Sequence, residues 1–165
     1  MSKISDSPVN KKSETKTILL IGIIAGTLDI LAAFIVYAQI LKLTTPIQML
    51  SNIARTAVSK TLIENEKILA LIGLLFHYII AYCFATLYFL IYPRIKFLRK
   101  SSIVSGLLYG IFVWVIMNLI VLPLTGSKFG PFPLIPLLRT IIILIVCIGL
   151  PIAILTAQYY KKVNK

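Results

Sequence analysis

TILLIGIIAGTLDILAAFIVYAQIL, residues 17–41, runs for twenty-five positions with one charged side chain, Asp29. A hydrocarbon core about 30 Å thick is crossed by about 20 helical residues at 1.5 Å each, so this run is long enough to span one. Asp29 is the objection to that reading. A central Asp costs about 2.5 to 3.5 kcal/mol, while the fourteen Leu, Ile, Phe and Val residues, at about 0.4 kcal/mol each, return roughly 5 to 6. Insertion prevails. A signal peptide is disfavoured: Val36-Tyr37-Ala38 loosely resembles a cleavage site, but the run is too long and carries an acid.

Three more runs pass the same length test: Ile68 to Tyr92, Ile103 to Leu124 and Leu137 to Tyr160. In lipid every backbone amide must be satisfied within its own segment, which leaves only helices for such runs. The expected fold is all-α: a polytopic membrane protein, a four-transmembrane-helix bundle forming a single domain over 17–160. A basic tail at 1–16 precedes it and another at 161–165 follows. Composition agrees, since 59% of the 165 residues are hydrophobic, only 13% are charged, and the mean hydropathy is +0.97. An ordinary soluble domain is about a quarter charged. The net charge of +12 therefore sits on a membrane protein rather than on a nucleic-acid module, and no nucleic-acid partner is expected. Cys83 and Cys147 both fall inside apolar runs and read as small core hydrophobes.

Basic residues set the orientation. Lys3, Lys11, Lys12, Lys16, Arg94, Lys96, Arg99, Lys100, Lys161, Lys162 and Lys165 fall on one side, eleven against six on the other. The positive-inside rule then puts both termini in the cytoplasm of a bacterial cell, with the chain in the plasma (inner) membrane. The acid-free turn carrying Arg94, Lys96, Arg99 and Lys100 reads as an orientation anchor that could also contact anionic lipid. Between the first two spans, Pro46 to Ser59 has apolar residues on one helical face and polar ones on the other. Thr45 can cap that amphipathic helix, which should lie in the interface or fold back over the bundle. Thr125 to Pro136, rich in Gly and Pro, reads as a rigid cap. Gly149 and Pro151 predict a kink in the last span. The Tyr residues near span ends read as interfacial.

Helices in lipid associate through small residues and a few hydrogen bonds. Such residues form stripes here: Gly22, Gly26, Asp29 and Ala33 in the first span, Gly73, His77, Ala81 and Ala85 in the second, and Gly106, Gly110, Trp114 and Asn118 in the third. Each stripe holds one strongly polar residue. Measured from the expected cytoplasmic end, Asp29 lies at a depth of about 18 Å and His77 and Asn118 at about 22 Å. The three can form one polar core, with an Asp29–His77 contact and Asn118 as third partner. Two readings of that core follow. Intramembrane ionisable groups mark proton relays or substrate pathways. Equally, the three can bond across helices and fix the packing register, in an accessory subunit that binds another membrane protein through its GxxxG faces. A homodimer could supply room for a water-filled path.

Other chemistry is not indicated. One His, no Glu within a span and no exposed Cys leave no metal site, and no cofactor is expected. Neither GxGxxG nor GxxxxGKS occurs. The chain does not read as an enzyme, with a lipid-modifying activity as the remote exception.

Ala25-Gly26-Thr27-Leu28-Asp29, Phe76-His77-Tyr78-Ile79-Ile80-Ala81, Gly106-Leu107-Leu108-Tyr109-Gly110 and Met117-Asn118-Leu119-Ile120-Val121-Leu122-Pro123-Leu124 occur in that order. The pattern resembles a family of small bacterial integral membrane proteins similar to the YagU-like inner-membrane proteins. The resemblance covers residues 22 to 124 and implies an inner-membrane location with no established activity. One departure is the segment Ile53-Ala54-Arg55-Thr56-Ala57, where small, glycine-rich sequence would be expected.

Overall fold

The computed structural model describes residues 11–57, 65–121 and 133–163, and among these every regular element is helical. Four helices are long and apolar enough to cross a membrane: Ser13–Ile40, Glu66–Ile91, Ser102–Val121 and Leu134–Val163. They are called spans 1 to 4. Span 1 packs on spans 2 and 4, and span 3 packs on span 4. Most of the loop expected to form a rigid cap, residues 125–132, lies outside the described residues.

Local sequence sets the helix ends. Asn65 caps span 2 by accepting from the backbone N–H of Lys67 (3.0 Å) and Ile68 (3.4 Å). Ser101 does the same for span 3 through Val104. The chain leaves span 1 at Lys42, whose φ of 50° turns it out of the helix, while Leu43 N–H bonds back to the Tyr37 carbonyl at 3.0 Å. A short helix, Pro46–Ala57, follows at once. Thr45 Oγ1 accepts from Gln48 N–H (3.2 Å) and Gln48 Oε1 accepts from Thr45 N–H (3.1 Å), a reciprocal capping box with Pro46 at the first helical position.

This short helix folds back along span 2. Ala54 is fully buried, Ser51 Oγ donates to the Glu66 carbonyl at 3.0 Å, and Arg55 pairs with Glu66 at 3.8 Å. Gly73 permits the approach: a Cβ there would run into the Leu50 carbonyl.

Spans 1, 3 and 4 each widen into a π-helical stretch, at Phe34–Ile40, Met117–Val121 and Ile145–Gly149. In span 4 the reason is visible. Pro151 has no N–H to offer, and the turns before it re-register, with Leu150 N–H bonding to the Ile145 carbonyl five residues back. The irregularity expected near Gly149 and Pro151 takes this form.

The core runs through all four spans, from Ile21 and Ala25 to Phe84, Tyr88, Phe89, Tyr109, Val113, Ile148 and Ile152. Its aromatic half corrects the reading of the tyrosines as interfacial. Tyr88 and Tyr92 are buried, and Tyr92 stacks on Tyr160 at 5.1 Å. Tyr88 donates to Ser105 Oγ (2.8 Å), Tyr109 to the Phe84 carbonyl (2.7 Å) and Tyr160 to the Phe89 carbonyl (3.3 Å), while the Tyr159 hydroxyl is buried without a hydrogen-bond partner among the described residues. Cys147 is half-buried, but Cys83 is exposed on the outside of span 2 rather than in the core.

Candidate functional site

All seven small residues expected at helix contacts are buried: Gly22, Gly26, Gly73, Ala81, Ala85, Gly106 and Gly110. Gly22 lies beneath the Tyr82 ring, and Gly26 faces Ala81 and Tyr78, with closest distances of 3.1 Å from its virtual Cβ. Gly106 and Gly110 face Leu150, Gly149 and Ile145 of span 4. Each GxxxG face is thus covered by another helix of the same chain. Neither is left free for the partner-protein contact expected of an accessory subunit.

The seam between spans 1 and 2 carries polar side chains. Thr27 Oγ1 and Tyr78 OH bond at 2.8 Å, and His77 Nε2 lies 2.8 Å from the Gly26 carbonyl. A carbonyl can only accept, so Nε2 carries the proton in this bond. Nδ1 is then the acceptor nitrogen of the ring. The Gly26 carbonyl is reachable because the small residues at Gly26 and Ala81 bring the two backbones close.

Beside this seam lies a cavity of about 90 Å³. Asp29 enters from span 1, His77, Ile80, Ala81 and Phe84 from span 2, Val113 and Met117 from span 3, and Leu144 and Ile148 from span 4. Ile53 of the short helix completes the lining. A cavity of this size has room for water, which needs two or more polar partners to settle there. Asp29 and His77 supply them in a wall that is otherwise hydrocarbon.

The expected three-residue core therefore becomes a two-residue one. Asp29 and His77 share the cavity wall, yet the only ion pair among the described residues is Arg55–Glu66, and the His77 bond goes to Gly26. Asn118 is not in the lining. Its Nδ2 donates to the carbonyl of Trp114, one turn back in its own helix, at 3.0 Å. That carbonyl also accepts the Met117 amide. The bond that Asn118 makes is local, within its own helix.

Two contributors escaped the sequence reading. Gly149 packs against Gly106 and Gly110 and is the third member of that seam. Its signal is present, since Gly149, Ala153 and Ala157 recur at steps of four, but beside Pro151 the glycine reads as part of a kink. Ile53 gave no signal, because nothing in an amphipathic helix says which cavity its apolar face will close.

At the end of the bundle bearing Lys16 and Lys161, the turn between spans 2 and 3 exposes Arg94, Lys96, Arg99 and Lys100. The Arg94 guanidinium bonds the Leu90 carbonyl, closing the C-terminal end of span 2. Among the described residues no group of three His, Cys, Asp or Glu comes together to hold a metal ion. No family model, curated protein or solved structure matches the chain.

Proposed function

We propose that the chain is a small proton-linked transport component of a bacterial plasma membrane, with Asp29 and His77 as the groups that take up and release the proton. One observation supports the proposal above all: Asp29 of span 1 and His77 of span 2 line the same cavity, at the meeting point of all four. A carboxylate and an imidazole in a hydrocarbon wall have no structural necessity, since apolar side chains would fill the space at lower cost. Asp29 accepts and releases a proton. His77, anchored through Nε2, offers Nδ1 for the same purpose.

In this reading both termini are cytoplasmic, following the eleven basic residues on that side. The short helix Pro46–Ala57 then lies at the outer interface and Ile53 closes the cavity from outside. The likeness to YagU-like inner-membrane proteins agrees with the location and says nothing of the activity. An accessory subunit remains the alternative. Its partner would have to dock on a face other than the two glycine seams, and copurification from native membranes would bring that partner down in stoichiometric amount.

The test is reconstitution in liposomes with an internal pH dye and an imposed proton gradient, comparing wild type with Asp29→Asn and His77→Ala. Wild type is expected to collapse the gradient faster than empty vesicles, and both variants to lose that activity. Equal, slow leakage in all three would overturn proton conduction by this pair.

A further inference from the structure

Three acidic residues lie among the described ones, Glu14, Asp29 and Glu66. Glu66 is paired with Arg55 and Asp29 is in the cavity. That leaves Glu14 as the one acid near the basic end, where Arg94, Lys96, Arg99 and Lys100 on the turn are joined by Lys16, Lys161 and Lys162 on the flanking spans. Glu14 can offset one of these seven positive charges, and the rest of the countercharge comes from outside the described residues.

The turn is built to hold its cations in place. Leu98 packs against the core, and the Tyr92–Tyr160 stack at 5.1 Å ties the end of span 2 to span 4. On either side of Leu98 the chain exposes Lys96, Arg99 and Lys100, while Ile95 and Phe97 are 43% and 48% exposed. Cations interleaved with exposed apolar side chains, at the end of a membrane-spanning helix pair, match a ligand with a phosphate and a hydrocarbon part together. A soluble anion would gain nothing from Ile95 or Phe97.

We propose that the turn between spans 2 and 3 is a binding site for an anionic phospholipid. Arg94, Lys96, Arg99 and Lys100 hold the headgroup phosphate, and Ile95 and Phe97 contact the upper acyl chain. Arg is suited to phosphate through its planar fork of donors, and Lys acts as a point charge. This site is independent of the Asp29–His77 cavity and stands or falls without it.

The full chain is placed in nanodiscs of phosphatidylcholine doped with phosphatidylglycerol, and the lipids retained after extraction are counted by native mass spectrometry. Wild type is expected to retain phosphatidylglycerol selectively. With each cation worth about fivefold near a membrane surface, combined Arg94→Gln, Lys96→Gln, Arg99→Gln and Lys100→Gln should reduce the selectivity by at least about tenfold. Lys42→Gln at the opposite end should leave it intact. Circular dichroism reports whether the fourfold variant folds; if it does not, the exposed single changes Lys96→Gln and Lys100→Gln carry the test with smaller losses. Equal retention of both lipids by wild type, or undiminished selectivity in the folded variants, overturns the proposal. Displacement of the bound lipid by inorganic phosphate overturns it too, because the site would then recognise a free anion.

Discussion

The seam between spans 3 and 4 and the seam between spans 1 and 2 are written with the same motif and close in different ways. Gly106 and Gly110 meet Gly149, so small residue faces small residue and backbone reaches backbone: a Cβ on Gly149 would strike the Gly106 carbonyl. Gly22 meets the Tyr82 ring instead, and Gly26 meets the Tyr78 ring together with Ala81. The first seam is tight along its glycines, with a Trp114–Thr140 hydrogen bond (3.1 Å) one turn farther on. The second leaves room for Thr27–Tyr78 and His77–Gly26 hydrogen bonds, and the cavity opens beside it. A GxxxG motif specifies close approach on one helix, and the residue opposite decides whether that approach becomes a rigid contact or a polar site.

The largest effect is expected at the tight seam. Gly149→Ile drives a branched side chain into backbone atoms of Gly106 and Gly110 in span 3, and backbone cannot swing aside as a side chain can. Overpacking commonly costs 1 to 3 kcal/mol, and a backbone clash belongs at or beyond the top of that range, so about 3 kcal/mol or more is expected. Thermal unfolding in detergent measures it. A midpoint equal to wild type would mean that the two seams are equally yielding.

Gly22→Ala probes the looser seam and should cost less. The new methyl meets the ring of half-buried Tyr82, a side chain rather than backbone, and a shift of that ring should make room for a loss of about 1 kcal/mol. Combining it with Tyr82→Leu should recover most of that loss, because the obstruction is one side chain. No recovery in the double variant would place the resistance in the backbone, as at Gly149.

These seams also show what could be read from the sequence. Helical spacing placed Gly22, Gly26, Gly73, Ala81, Ala85, Gly106 and Gly110 on contact faces, and all are buried, because a step of four keeps residues on one face whatever covers it. The same geometry put Asp29 and His77 at one level. Spacing carries no information about which helix lies opposite. For that reason spacing does not connect Gly73 with the short helix, reads Gly149 as a break, and assigns Tyr88 and Tyr92 to the interface from their position near a span end. Their burial depends on hydroxyl and ring partners in spans 3 and 4, Ser105 and Tyr160, contributed by distant sequence.

Asn118 supplies the smallest effect and sharpens the comparison most. It shares its stripe with Gly106 and Gly110, so it belongs to the tight seam by position, yet polarity alone would assign it to the cavity with Asp29 and His77. Its hydrogen bond goes to the Trp114 carbonyl within its own helix, and the cavity wall beside it is formed by Met117. Asn118→Leu removes a local bond and adds apolar surface in an apolar setting, and the two nearly cancel. A change in stability within about 0.6 kcal/mol is expected, the average worth of a polar contact between membrane helices. Proton flux in the liposome assay should match wild type, while Asp29→Asn abolishes it. If Asn118→Leu also abolished flux in a folded protein, the side chain would have to leave Trp114 and reach the cavity during the cycle, and the polar site would extend from the looser seam into the tight one.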